Sequence, residues 1–472
     1  MEKMDKLMSF SELSQTLGAP LFAGEGKQRD LGSEGFSSVF IDSRETLPGG
    51  LFVALKGNTQ DGHRFVEAAF KAGASGALVA RSALEDRGLD LIGLCQRWNK
   101  VLIAAEDTLK ALQDAAAAYL RQFVNLKRIG ITGSSGKTTT KEIAAAIIGQ
   151  EKSVVMNQGN YNSETGLPLS VFRVRSHHEV GIFEAAMNQK GEMAPLARIL
   201  DPHLALITNI GSAHIGNLGS RDAIAEEKKQ IFSYFNGNNT AFIPADDDYR
   251  DFLAKDILGK VVFYGASSLP AFNNFRDLGL SGTEIVWEGR PLRFNLPGSF
   301  NLNNALAAAA LALEMPVSAD SIRIGLESVK PLFGRGEIFQ GRVTLIRDCY
   351  NSNPESLEAA LDFCDTLNWP GRRIYVLGSM LELGDLSEEA HAALGRRLIS
   401  CRGDMVCLYG EEMRAAADVL EHPRFMFTTD MEKLSRVLDS SVEKGDLVLL
   451  KGSRGCALES LTEILVEDAH VL

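Results

Sequence analysis

The sequence contains no apolar run approaching the roughly 20 residues that a helix needs to cross a bilayer. Its first stretch, residues 1–13, interrupts isolated apolar positions with Glu, Lys and Asp, which excludes the continuous apolar core of a signal peptide. Cysteine is sparse: Cys95, Cys349, Cys364, Cys401, Cys407 and Cys456 are scattered, with no C-x-x-C pair and no zinc-like spacing, so a reducing compartment is expected. Positive charge is outnumbered, 49 Lys and Arg against 61 Asp and Glu, for a net charge of -12. A protein that coats nucleic acid needs clustered cations to displace counterions from phosphates, so that class is excluded. Short-period repeats and low-complexity tails are lacking too. The expectation is a soluble cytoplasmic chain with no nucleic-acid partner and no membrane insertion, acting as a monomer.

At 472 residues the chain exceeds a single core, and a prior of about 150 residues per domain suggests about three. Residues 36–41, 51–55 and 77–79 read as short strands, with a helix over 65–72 and Pro48, Gly49 and Gly50 as punctuation. An Ala-rich helix over 108–124 leads into an apolar strand at 128–132, and strands recur at 179–183 and 204–208. Strand patterns at 343–346, 374–377, 405–408 and 447–450 alternate with helices at 355–364 and 388–398. This predicts an α/β protein of three domains: a small α/β substrate domain over 1–106, a central P-loop parallel-sheet ATPase domain over 107–334, and a Rossmann-like domain over 335–472.

The segment Ile131-Thr132-Gly133-Ser134-Ser135-Gly136-Lys137-Thr138-Thr139-Thr140 follows a strand and opens a helix. Backbone N–H groups and the helix start can then surround a polyphosphate, with Lys137 on the β- and γ-phosphates and the Thr138 hydroxyl on Mg²⁺. The broad phosphate-loop pattern wants Gly where Ile131 stands. Glu184 ends an apolar strand, which points its carboxylate at the sheet edge where ligands gather. One or two such oxygen ligands suffice for Mg²⁺. On residues alone, Glu184 and the helical Lys228 also fit solvated charges, and His214 a satisfied core or surface histidine.

Here the strings resemble a known family. T-G-S-S-G-K-T-T-T-K-E is similar to the ATP loop of Mur ligases and folylpolyglutamate synthases, which also lack that first glycine. Glu184-Ala-Ala-Met-Asn188-Gln-Lys-Gly191-Glu192 resembles the family run E-x-G-x-N-x-x-G-E, with Ala186 for a glycine. Thr208-Asn209-Ile210-Gly211-Ser212-Ala213-His214 resembles T-N-I-x-x-A-H, whose histidine is associated with a second metal. Lys228 aligns with the lysine that Mur ligases carbamylate, which converts an ammonium into a carboxylate able to coordinate or orient Mg²⁺, with Lys229 the competitor for that register.

The resemblance covers residues from about 41 to 460 and implies further roles. Pro297-Gly298-Ser299-Phe300-Asn301-Leu302-Asn303-Asn304-Ala305 resembles P-G-x-H-N-x-x-N-A, which implies Asn301 at the adenine edge, with Phe300 in place of histidine. The linker Gly334-Arg335-Gly336 implies an arginine delivered to the γ-phosphate. Asp348-Cys349-Tyr350-Asn351-Ser352-Asn353-Pro354 resembles D-x-Y-N-A-N-P and implies Asp348 on the ribose, with Arg347 where a second acid is frequent. Leu377-Gly378-Ser379-Met380-Leu381-Glu382-Leu383-Gly384, with His391, and Lys451-Gly452-Ser453-Arg454 resemble two further family strings, structural or receptive to a carboxylate. Asp42-Ser43-Arg44 and Asp61-Gly62-His63 resemble the amino-terminal domain that takes UDP-muramoyl peptides, which implies Ser43 and Arg44 on the diphosphate or uracil. Gly159-Asn160-Tyr161-Asn162-Ser163-Glu164-Thr165-Gly166 is similar to G-N-Y-N-N-E-x-G and implies Asn160 and Asn162 on the muramoyl part.

The family resemblance thus implies an ATP- and Mg²⁺-dependent ligase with a carbamylated Lys228. It would join D-alanyl-D-alanine to UDP-N-acetylmuramoyl-tripeptide through an acyl phosphate, in cytoplasmic peptidoglycan synthesis serving cell shape and division. The binding loop would involve Gly133, Ser134, Ser135, Gly136, Lys137, Thr138 and Thr139. Two alternatives stay open at this point: a sibling ligase that adds the third amino acid, and a nucleotide-binding regulatory protein without ligation.

Overall fold

Continuous apolar runs, rather than alternating ones, mark most strands of this protein, as expected where both faces of a sheet are covered. Val101–Ala105, Val180–Glu184, Leu204–Ile207, Arg373–Gly378 and Leu447–Lys451 are buried along their whole length. The computed structural model describes residues 6–24, 32–57, 59–86, 89–466 and 470–471; residues 1–5 of the charged amino terminus lie outside them. The α/β class with parallel sheets is as the sequence predicts. Contacts group the chain into two compact units, one of residues 1–130, 153–187 and 192–203, the other of 131–152, 188–191 and 204–472.

The first unit holds a five-stranded sheet in the order Leu21–Ala23, Val101–Ala105, Gly76–Ala80, Leu51–Val53, Val39–Phe40. All neighbours are parallel except the antiparallel edge strand Leu21–Ala23. Phe52, Val66, Phe70, Leu91 and Leu102 fill the core on one side. A capping box, in which Ser9 and Glu12 satisfy each other's backbone N–H groups, starts the helix Phe10–Leu17, and left-handed Gly18 ends it. The helix Thr108–Arg121, capped by Asp107, packs on Gly166–Val171 and Met193–Leu200. Val154–Met156 and Val180–Glu184 run parallel in register, which sets the loop after the first beside the end of the second.

In the second unit, Leu204–Ile207, Thr240–Pro244 and Lys260–Tyr264 are parallel neighbours. The helix Lys137–Ile148 packs on Ser299–Leu313 and Ala319–Ser328. An antiparallel trio, Phe272–Asp277, Thr283–Trp287 and Arg290–Phe294, follows; periodicity did not predict it. The last sheet has seven strands in the order Phe425–Thr428, Met405–Tyr409, Arg373–Gly378, Leu447–Lys451, Thr344–Asp348, Glu337–Gln340, His470–Val471. The first five are parallel and the last two antiparallel. The parallel register sets Asp348 opposite Lys451, so the ends of two neighbouring strands carry opposite charges side by side.

Leu450 is fully buried in the centre of that sheet, packed with Val376, Leu434 and Leu438. Leu450→Ala should therefore cost about 2–5 kcal/mol, read as a lower urea midpoint at unchanged slope. A loss below about 0.5 kcal/mol, the level of ordinary surface changes, would show that this strand is not packed as described.

Candidate active site

The phosphate loop has its shape because two of its positions tolerate no side chain. Gly133 (φ 148°) lies so close to Thr208 that a Cβ would sit 1.8 Å from Oγ1. Gly136 (φ 79°) leaves a Cβ only 2.2 Å from Asn304 Oδ1. The strand-end string that the sequence links to His214 is also the scaffold of this loop. Thr208 Oγ1 donates to Ser135 O at 2.6 Å, Asn209 Oδ1 accepts from Ser135 N–H at 2.9 Å, and Ser134 Oγ accepts from Gly211 N–H at 2.8 Å. Ile210 N–H is held in turn by Asp247 at 2.9 Å. Thr138 is buried at the helix start.

Two lysines converge on one carbonyl of this loop. Lys137 Nζ donates to Gly133 O at 2.9 Å and lies 3.3 Å from Ser134 O, while Lys228 Nζ donates to Gly133 O at 3.0 Å. Lys228 is 1% exposed. Burial, and after it the positive charge of Lys137, push its amine well below the ordinary lysine range, with Glu227 opposing. Lys229 goes elsewhere, to the Phe252 carbonyl at 2.7 Å and over the Phe252 ring. Glu227 accepts from Gly191 N–H at 2.9 Å and so ties the turn 188–191 to the lysine helix.

His214 adopts the left-handed conformation (φ 64°) at the head of the short helix Ile215–Leu218. Its Nδ1 lies 2.7 Å from Glu382 Oε2. The His214 contact, and less so the charge of Lys137, hold the Glu382 carboxyl below the usual carboxylate range against its burial. Gly216 N–H donates to Glu382 O, and a Cβ on Gly216 would lie 2.4 Å from Gly384 N, so two backbones meet there. Nearby, Ser212 N–H and Oγ donate to the two oxygens of Glu355 at 2.8 and 2.9 Å, and Asn353 Nδ2 donates to Ser135 Oγ at 3.2 Å.

A small pocket is lined by Pro297, Phe300, Gly336, Asp348, Phe363 and Cys364 among others. Left-handed Gly298 lets the Phe300 ring approach, since a Cβ there would be 2.6 Å from it. Asn301 is buried and donates to Pro297 O at 2.8 Å, and Asn304 accepts from Thr140 Oγ1 at 3.3 Å. Asp348 pairs with Lys451 at 3.1 Å. Lys451 is 2% exposed and also donates to Asn351 O at 2.6 Å, so it ties its strand end to the loop after Asp348. Arg454 pairs with Glu459 at 2.6 Å. Arg335 stacks its guanidinium 4.0 Å above the Tyr350 ring. His391, fully buried, accepts Met380 N–H at Nε2 and donates from Nδ1 to Ser387 O, which fixes the loop that carries Glu382.

In the first unit, Glu184 is 1% exposed. Asn157 Oδ1 accepts from its N–H and Asn157 Nδ2 donates to its carbonyl, both at 3.0 Å. Asn162 Nδ2 donates to Glu184 Oε1 at 2.7 Å, so this side chain faces a carboxylate. Asn160 is exposed. Arg44, 87% exposed, wraps its neighbour Asp42 through Nε and Nη2 and holds that carboxyl down to about 2; Ser43 lies on the same short turn. His63 is a satisfied core residue between Asp61 and Ala80 N–H. Sequence reasoning missed Asn157, Glu227 and Glu355, which no spacing signals.

Three family models match: the Mur ligase family catalytic domain over residues 36–120, the Mur ligase middle domain over 131–312, and the Mur ligase glutamate ligase domain over 334–454. A UDP-N-acetylmuramoyl-tripeptide–D-alanyl-D-alanine ligase of Treponema pallidum is 44% identical over 441 residues, 93% of this chain and 95% of that relative. The chain belongs to the Mur ligase family. A crystal structure of MurF from Acinetobacter baumannii matches this Mur ligase with a TM-score of 0.85 at 28% identity, over 98% of this chain and 99% of that one. MurF ligase from Thermotoga maritima in complex with ADP matches with a TM-score of 0.77 at 29% identity, over 90% and 96%.

Gly136→Ala in this Mur ligase combines backbone strain with the Asn304 contact and should weaken ATP binding by about 1–3 kcal/mol. Calorimetric titration of the variant with ATP checks this. Adding Asn304→Ala should restore only part of the loss, because the strain at φ 79° remains; full recovery would show that strain is irrelevant.

Proposed function

We infer that this Mur ligase joins D-alanyl-D-alanine to UDP-N-acetylmuramoyl-tripeptide in cytoplasmic synthesis of the peptidoglycan precursor, with ATP cleaved to ADP and phosphate. The relatives named for this reaction and the D-C-Y-N-S-N-P string support the choice of dipeptide. The observation that carries the ligase reading is the buried amine of Lys228 behind a phosphate loop, sharing Gly133 O with Lys137.

The tripeptide carboxylate attacks the γ-phosphorus of ATP, the bond to the β,γ-bridging oxygen breaks, and ADP leaves. The dipeptide amine then attacks the acyl carbon, the carbon–oxygen bond to phosphate breaks, and the amine loses a proton to give the amide. The Lys137 ammonium meets the phosphates, and Arg335 turns from Tyr350 to the γ-phosphate as charge spreads. Asp348 accepts a ribose hydroxyl, Phe300 stacks on adenine, and Asn301 shapes the adenine edge through Pro297. Ser43 and Arg44 take the diphosphate, and Asn160 the muramoyl part.

Among the described residues no three His, Cys, Asp or Glu side chains converge as a metal cage. Mg²⁺ is usually held by one or two carboxylates together with substrate phosphates, and the donors present fit that pattern. Thr138, Glu184 and His214 would hold it, with Lys228 as carbamate, and the bound ion neutralises charge on the phosphates. A neutral Lys228 amine takes up CO₂ and releases one proton to become that anion. The working parts are read as residues 1–106 for the UDP-substrate, 107–334 for ATP, and 335–472 as the Rossmann-like lobe, in a monomer.

Phosphate release should require both the UDP-tripeptide and D-alanyl-D-alanine. Lys137→Ala and Lys228→Ala should each lower it by about 10²-fold or more, with acetate or formate partly rescuing only the second. Equal turnover on a single amino acid in place of the dipeptide would assign a different addition step.

A further inference from the structure

We propose that Asn162 is a positioning residue for the metal-binding carboxylate, aiming Glu184 through a 2.7 Å hydrogen bond, rather than a contact to the muramoyl substrate. The proposal rests on the reading of Glu184 as a Mg²⁺ ligand. An ionised carboxylate only accepts hydrogen bonds, so the Asn162 amide must present its NH₂ to Oε1. Asn157 takes Glu184 N–H on Oδ1 and gives Nδ2 to Glu184 O, which anchors the backbone on both sides of the residue. Asn162 O accepts Ala186 N–H at 2.9 Å, which lays the loop along the stretch just past Glu184.

Asn157 and Asn162 therefore divide the work, one fixing the main chain and the other the side chain. The terminal torsion of a glutamate is broad, so a carboxylate held only by its backbone samples many orientations. A donor on one oxygen restricts that freedom. The donor is neutral, which matters: a lysine or arginine in its place would cancel the charge that attracts Mg²⁺. Ser163, where the resembling string has a second Asn, is engaged locally with Thr165 and Gly166 N–H.

The test compares the wild type with Asn162→Ala, Asn162→Gln and Glu184→Gln. Mn²⁺ binding is measured by electron paramagnetic resonance in enzyme saturated with a non-hydrolysable ATP analogue, beside the Mg²⁺ dependence of phosphate release and the KM for UDP-tripeptide. Groups that orient metal ligands typically change affinity by 10–100-fold. Asn162→Ala should accordingly raise the Mn²⁺ dissociation constant and the Mg²⁺ requirement by about tenfold with a nearly unchanged KM, and Asn162→Gln, which keeps the amide, should recover part of it. A raised KM for UDP-tripeptide with unchanged Mn²⁺ binding would make Asn162 a substrate contact and overturn the proposal. If Glu184→Gln itself leaves Mn²⁺ binding unchanged, the metal reading of Glu184 falls, and this proposal with it. If Glu184→Gln weakens Mn²⁺ binding while both Asn162 variants do not, the proposal alone falls.

Discussion

The convergence of two lysine amines on the Gly133 carbonyl is the constraint around which the second unit is organised. Two ammonium ions on one carbonyl repel each other, and burial of one adds a desolvation cost. Burial, and after it the charge of Lys137, push the Lys228 amine well below the ordinary lysine range. The loop's tight geometry depends on glycine as well, since a Cβ on residue 133 would sit 1.8 Å from Thr208 Oγ1.

That loop is also where the carboxy-terminal segment takes hold. Glu355, at the start of the helix Pro354–Thr366, accepts both donors of Ser212, and Asn353, the cap of the same helix, reaches Ser135. Glu382 meets His214 at 2.7 Å and Gly216 by backbone, at a point where two glycines allow direct contact. A chain swung away would lose all of these together. The residues that shape this loop are thus also the ones that hold the carboxy-terminal segment.

Most of the parallel strands were legible in the sequence because burial on both faces makes them continuous apolar runs bounded by glycine. The antiparallel trio was not, since Phe272–Asp277 is largely exposed and its composition resembles a loop. The strand, glycine turn and helix of residues 127–148 were readable because an apolar run, a glycine pair and a helix start each leave their own sequence signal. The roles of Thr208 and Asn209 were hidden: their string follows a strand and carries a histidine, yet what they do depends on a segment more than 70 residues earlier. Lys228 and Lys229 could not be separated by spacing, because one residue on a helix decides which face is buried. Packing separates them, with one amine at the loop and the other at Phe252.

Arg347 shows how a local departure is absorbed. Antiparallel pairing sets it opposite Glu337, and the two side chains form an ion pair at 2.7 Å with both largely buried. The guanidinium also lies 4.4 Å from the Phe333 ring and 4.7 Å from that of Phe339. Glu337 meanwhile accepts Gly334 N–H at 2.6 Å, so the pair fixes the first residue of the Gly-Arg-Gly linker. Gly334 and Gly336 both take left-handed backbone, at φ 65° and 75°, which turns Arg335 alone toward Tyr350. An arginine held between two such glycines is aimed by the main chain more than by its own rotamers. The Arg347–Glu337 pair, across the two strands that follow this turn, anchors the chain beside Arg335.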